Sequence, residues 1–245
     1  MSKLEDYLYY EEKNPDLKIY CGDCLDILPL LPKVDLVVTD PPYGINFVPQ
    51  RGTFEGIAND KQDEAKELWG GAIPELYRVL KDDTYAFLSI GWTEMDWVLP
   101  LLRNYFEVKA CIVWYKNQFG IGYYTRPQHE FNLLCLKGKP KPPDNAPSDV
   151  WEIAKVYALE HSCQKPVELE EKAISLYSQQ DGIILDPFLG SGTTLVACKE
   201  LNRNGIGIEI SEKYCAIAKE RLKNTTPFLF QEDVFNTTAK QEELL

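Results

Sequence analysis

Seven short apolar runs, most of them rich in β-branched side chains, alternate along the chain with longer stretches of helical periodicity. The runs fall at 18–22 (KIYCG), 34–39 (VDLVVT), 84–90 (TYAFLSI), 108–115 (VKACIVWY), 130–136 (EFNLLCL), 182–186 (GIILD) and 205–209 (GIGIE). The helical segments are 62–80, 93–105, 167–179, 192–202 and 212–223. Near-continuous apolar runs belong to strands covered on both faces, and helices between them serve as crossovers. The pattern therefore predicts an α/β fold with seven strands in a mostly parallel sheet. No helical segment separates the fourth run from the fifth, so those two are expected to form an antiparallel pair at one edge.

A chain of 245 residues with 44% hydrophobic and 26% charged residues fits one globular domain, 1–245, and no internal repeat divides it. No apolar run approaches the ~20 residues of a membrane helix, and the acidic start (Leu4, Glu5, Asp6) does not read as a signal peptide. Seven cysteines form no compact framework, which fits reduced thiols. A soluble protein of the cytoplasm is expected. Cys21 and Cys24 make a lone CxxC, with His129 and His161 as the two histidines; a zinc site needs about four ligands, so no metal is expected.

The net charge of −12 argues against a general affinity for nucleic acid, but its distribution is uneven. Between Leu101 and Pro143 stand Arg103, Lys109, Lys116, Arg126, Lys137, Lys139 and Lys141, against Glu107 and Glu130 alone. A local excess of positive charge of this kind is able to meet phosphates and release counterions.

Two loops carry the residues for chemistry. The first, Asp40-Pro41-Pro42-Tyr43-Gly44, directly follows an apolar run. Consecutive prolines end a strand and stiffen the turn, because their φ is locked and they donate no hydrogen bond. What the turn presents is a carboxylate, backbone carbonyls and an aromatic ring. The second, Asp186-Pro187-Phe188-Leu189-Gly190-Ser191-Gly192-Thr193-Thr194, joins a strand to a helix. Gly190 and Gly192 are expected to let a ligand approach the backbone beside the helix N-terminus. A phosphate-binding loop needs a lysine next to its Ser/Thr, and this loop has none. About twenty residues on, the next strand ends in Glu209, an acid placed as for ribose hydroxyls.

DPPYG, DPFLGSGTT and GIEI, with Gly22-Asp23-Cys24-Leu25-Asp26-Ile27-Leu28 and His161-Ser162-Cys163-Gln164-Lys165-Pro166, resemble the amino-methyltransferase family of DNA-modifying enzymes. The catalytic motif precedes the cofactor loop, which is similar to the circularly permuted order of the β class. Cys163 stands where the family usually has Thr. The resemblance spans residues 18–223. It implies a seven-stranded, Rossmann-like methyltransferase sheet in which the strands before Asp40 and ending in Asp186 lie side by side, at a topological switch point.

The same resemblance implies S-adenosylmethionine as cofactor and double-stranded DNA as substrate, and it allows a homodimer. Asp186, Phe188, Gly190, Ser191, Gly192 and Thr193 would form the cofactor loop, with Glu209 on the ribose, Asp23 near the adenine amino group unless it is only a turn or cap residue, and Lys165 toward the cofactor carboxylate. Asp40 and the Pro41 carbonyl, in the turn completed by Pro42, would accept the amino protons of a flipped-out base, with Tyr43 stacked on it and Trp114, ahead of Tyr115 and Phe119, as the candidate for its other face. An acid-first DPPY is more typical of adenine N6 enzymes. Cytosine N4, an RNA adenine and a non-catalytic partner subunit are the alternatives. Recognition is expected from loops 46–62 and 116–149, where Arg51 and Arg126 are candidates for guanine or phosphate.

Overall fold

The computed structural model describes residues 3–44, 61–120, 122–156 and 164–226. Arg51, His161 and Cys163 lie outside the described residues. Among the described residues nine strands are present: β1 (Leu8–Glu12), β2 (Leu17–Cys21), β3 (Val34–Thr39), β4 (Leu80–Ile90), β5 (Glu107–Tyr115), β6 (His129–Lys137), β7 (Val150–Glu152), β8 (Ile183–Asp186) and β9 (Asn204–Glu209). The α-helices are α1 (Cys24–Ile27), α2 (Gln62–Val79), α3 (Met95–Arg103), α4 (Val167–Tyr177), α5 (Thr193–Glu200) and α6 (Glu212–Asn224).

The nine strands form one sheet in the order β1-β2-β9-β8-β3-β4-β6-β5-β7, and the five from β2 to β4 run parallel. Each face of this sheet carries its own core. Val37, Leu185 and Ile208 point to a layer built with α1, α2 and α3, while Leu36, Val38 and Ile184 point to a layer built with α4, α5 and α6. The helices follow their periodicity. In α2, Ala65, Leu68, Trp69, Ala72, Ile73, Leu76 and Val79 are buried at intervals of three and four, and in α4 so are Leu169, Ala173, Ile174 and Tyr177.

All seven expected strands are present, and two more flank them. β1 is half-exposed, ends in Glu11 and Glu12 and has no fully buried residue, so it lacked the apolar signal. It lies antiparallel at one edge, where charge discourages further pairing. β7 has three residues, of which only Trp151 is buried, and it follows a Pro-rich stretch that reads as loop. The expected antiparallel pair exists, but not at the edge. β6 inserts between β4 and β5 and runs antiparallel to both, and β7 caps β5 in parallel.

The connection from β8 to β9 moves one way across the sheet and that from β3 to β4 moves the other, so β3 and β8 border the switch point, paired Leu36 to Ile184 and Val37 to Leu185. α5 and α6 close over the loop after β8. Gly192 caps α5 at φ +88°, and a Cβ there would sit 2.8 Å from the Cβ of Ala218 on α6. Its lack of a side chain thus serves helix packing, a different reason from the ligand approach expected of it. Gly192→Ala is expected to destabilise the domain by about 2 kcal/mol, lowering the melting temperature by roughly 4–8 °C. Thermal unfolding followed by circular dichroism checks this.

Candidate active site

Four neighbouring parallel strands, β2, β9, β8 and β3, end at the same edge of the sheet, and each end carries a sequence-singled residue. Asp23 follows β2, Glu209 ends β9, the Phe188–Thr193 loop follows β8, and Asp40 follows β3. Asp23, Phe188, Gly190, Glu209 and Asp40 are all half-buried, so their surfaces reach the crevice along that edge.

The loop after β8 is held from three sides. Asp186 is buried, and its carboxylate accepts from Thr39 Oγ1 at 2.7 Å, Thr194 Oγ1 at 2.6 Å and Phe188 N at 3.1 Å. Burial pushes this carboxyl up to about 6, against the opposing pull of those hydrogen bonds. Asp186 therefore fixes the loop and turns no free oxygen toward a ligand. Glu209 accepts Gly190 N and Ser211 N, each at 2.8 Å. Gly190 adopts φ +53°. From α6, Arg221 donates to Ser191 O at 2.8 Å, Ser191 Oγ at 2.9 Å and Thr193 Oγ1 at 3.1 Å. The hydroxyls of Ser191 and Thr193 thus face α6. Asp23 is the N-cap of α1, accepting Leu25 N at 2.8 Å.

In the first loop, the buried indole of Trp69 on α2 donates to Pro42 O at 3.0 Å, which anchors the turn to the core. The Tyr43 hydroxyl donates to Asp40 Oδ1. Loss of solvent, followed by the charge of Asp40, pushes that phenol well above its usual range, so it stays a donor. The expected position of Lys165, toward a cofactor carboxylate, is not where the structure puts it. Its ammonium lies 3.0 Å from Asp40 Oδ2 and 3.0 Å from Glu130 Oε2 on β6. Glu130 also binds Lys116, the residue that follows β5. Burial alone would lower Lys165, but Asp40, Glu130 and Tyr43 outweigh it and hold it well above the ordinary lysine value. Burial likewise would raise Glu130, yet Lys165 and Lys116 bring it down to about 2.

Trp114 is 2% exposed, donates to Ile153 O at 2.8 Å and has Lys116 and Lys165 over its ring at 4.7 and 5.5 Å. Lysine ammonium groups, rather than open space, face the ring expected to stack on a base. Arg126 is exposed at the β5–β6 hairpin, bonded to Gly120 O at 3.1 Å.

Comparison with known proteins matches this site to a family. The model of the N6/N4 methyltransferase family, described as DNA methylase, matches residues 34–220. The type II methyltransferase M.HpaI of Haemophilus parainfluenzae is 34% identical over 242 residues, covering 84% of this chain and 74% of that protein. The chain belongs to the N6/N4 DNA methylase family. The crystal structure of the M1.HpyAVI–SAM complex superposes with a TM-score of 0.67 at 29% identity, over 84% of this chain and 98% of that one. The PvuII DNA methyltransferase, cytosine-N4-specific, shares the fold with a TM-score of 0.69 at 16% identity, over 91% and 90% of the two chains. In that M1.HpyAVI structure the bound ligand is S-adenosylmethionine.

Several groups that shape the methylase site had no signal in the sequence. Thr39, Thr194 and Arg221 look like ordinary strand and helix residues, and Glu130 is one acid in a basic stretch. Among the described residues no His/Cys/Asp/Glu group suited to a metal occurs, and no helix is long and apolar enough to cross a membrane. A further buried acid stands behind the site. Glu170 on α4 is 5% exposed, and burial pushes it up to about 8, with Asp186 and Asp40 adding to the rise and Lys165 opposing it.

An unfolded Glu titrates near 4.3, so the stability tied to the proton on Glu170 is full below that pH and is lost as pH rises through about 8. Glu170→Gln keeps a neutral, hydrogen-bonding side chain at every pH. The variant should melt higher than wild type near pH 9 and about equally near pH 5. Melting curves at the two pH values test it, and an equal difference at both would break the assignment.

Proposed function

We propose that this DNA methylase transfers a methyl group to N6 of a flipped-out adenine in double-stranded DNA. The observation that carries the site assignment is the order of groups along the sheet edge: Asp23, Glu209, the Phe188–Gly190 loop, then Asp40. Three strand spacings cover about 14 Å, the scale of an extended nucleoside with an amino-acid arm. Asp23, through the oxygen not used in capping, would take the adenine amino group of the cofactor. Glu209 would take its ribose, and Phe188 and Gly190 its methionine part. In this reading Asp186, Ser191, Gly192 and Thr193 shape the loop from behind. When bound, S-adenosylmethionine supplies a methyl group activated on a sulfonium centre.

The exocyclic nitrogen of an adenine is a weak nucleophile, because its lone pair is delocalised into the ring. Asp40 and the Pro41 carbonyl accept hydrogen bonds from its two protons, which localises the lone pair and stabilises the positive charge as it develops. A carboxylate has about four acceptor positions, and Tyr43 and Lys165 each fill one, so capacity remains for an amino proton. Tyr43, its hydroxyl pinned to Asp40, presents a ring of fixed tilt for stacking. Lys165 holds the carboxylate in place, Glu130 holds Lys165, and Lys116 holds Glu130. Adenine is favoured over cytosine by the acid-first DPPY turn.

Incubation with labelled S-adenosylmethionine and unmethylated DNA, followed by nucleoside mass spectrometry, is expected to give N6-methyladenine. N4-methylcytosine would keep the chemistry and replace the base. Asp40→Ala should lower product formation at least about 100-fold while cofactor affinity stays within a few-fold. Near-wild-type turnover would remove the role given to Asp40.

Removing one partner of a buried ion pair costs about 3–5 kcal/mol, and here that loss falls on the reacting carboxylate. Lys165→Met should lower kcat roughly 100-fold with little change in cofactor affinity, and Lys165→Arg should recover part of it. Weakened cofactor binding with unchanged kcat would instead move Lys165 to the cofactor carboxylate.

A further inference from the structure

The β5–β6 hairpin leaves the sheet at the same edge as the catalytic turn, because β5 runs parallel to β4 and β3. Its foot is wired to the proposed reacting centre: Lys116 on one limb pairs with Glu130 on the other, Glu130 pairs with Lys165, and Lys165 lies on Asp40. Beyond the foot the two limbs stay paired, with Lys116 N on Gln128 O and Gly120 N on Pro127 O, each at 2.7 Å. The tip is thus a braced projection of the site rather than a separate loop.

What the tip displays is unusual for a solvated turn. Tyr123 and Tyr124 are each 95% exposed, and their rings meet edge to face with centroids 5.2 Å apart. Phe119 is 62% exposed, and the Arg126 guanidinium lies 4.8 Å from its ring. Residues 116–128 contain Lys116 and Arg126 and no acid, in a chain of net charge −12. Exposed rings, a guanidinium and an absence of carboxylates suit a stacked polyanion.

We propose that the Tyr123–Tyr124 pair is the wedge that enters the duplex and fills the gap left when the target base swings out toward Asp40. Extrusion of a base removes its stacking partners on both sides, and an inserted flat side chain restores them. Arg126 then lies where the phosphates flanking that gap pass. The proposal rests on the reading that the substrate is duplex DNA.

Methylated genomic DNA from the wild-type reaction first supplies the recognition sequence. A duplex carrying that sequence with a fluorescent base analogue at the target position then reports flipping. The wild-type chain should raise the fluorescence on binding. The double variant Tyr123→Ala/Tyr124→Ala should lose most of that rise and about ten-fold in kcat, with unchanged cofactor affinity. The pair Tyr123→Phe/Tyr124→Phe should restore both, since the ring and not the hydroxyl does the filling. A wild-type fluorescence rise in the alanine variant would overturn the proposal, as would a loss that phenylalanine fails to restore. A loss accompanied by a change from dimer to monomer in sedimentation would overturn it too, and would assign the tip to a contact between two copies of the chain. Wild-type protein that labels no duplex DNA would defeat the underlying reading itself, before any variant is made.

Discussion

One carboxylate binds the two halves of the site together. Asp186, at the last position of β8, accepts the hydroxyl of Thr39 at the end of β3 and the hydroxyl of Thr194 in the first turn of α5, as well as the amide of Phe188. The residue after Thr39 is Asp40, and the residues after Phe188 form the loop proposed to hold the cofactor. Strand pairing alone sets β3 and β8 side by side, with two register pairs. The Asp186 bonds make the ends of those strands move as one unit. Burying a carboxylate is costly, and even with its three hydrogen bonds opposing the rise the group stands at about 6. Three donors aimed at it offset the loss, and each hydroxyl left buried without its acceptor would cost about 1–3 kcal/mol.

A second polar cluster, on the same side of the sheet, has a different logic. Lys165, Asp40, Glu130 and Lys116 are two cations and two anions in one contact chain, laid over the buried ring of Trp114. Charge balance makes such a cluster tolerable, but hydrophobic residues of the same volume would pack more favourably. Its presence next to the carboxylate proposed to act on the base fits positioning rather than stability. Four separate segments contribute to it: the turn after β3, the residue after β5, β6 and the segment leading into α4. Asp40 is therefore held by groups on both sides of the crevice and not by its own turn alone.

The sequence was most informative where a residue is constrained by its immediate neighbours. Prolines 41 and 42 end a strand wherever they occur, and the central strands are apolar on both faces because two helical layers cover them. The edge strands were silent for the converse reason: β1 is half-exposed and β7 buries one side chain. Most of the site's internal bonds were equally hidden. Thr39 to Asp186 joins residues 147 apart, and Lys165 to Glu130 joins residues 35 apart. Nothing local marks either end of such a pair. Gly192 shows a subtler limit. Its occurrence in a glycine-rich loop was legible, but its purpose is set by Ala218 in another helix.

The electrostatics of an acidic DNA methylase follow from the same geometry. A net charge of −12 repels a polyanion at long range, and screening confines that repulsion to about 8–10 Å at ordinary ionic strength. Binding then depends on what lies within that distance of the duplex. The edge that carries Asp40 also carries the hairpin with Lys116 and Arg126 and no acid between them. Few phosphates are neutralised by so small a basic surface, and counterion release contributes a salt slope of only about −0.9 per phosphate. Such a protein gains little from non-specific contact. On the proposed reading its hold on DNA comes instead from contacts made once a base has entered the crevice, which ties affinity and chemistry to the same correctly placed nucleotide.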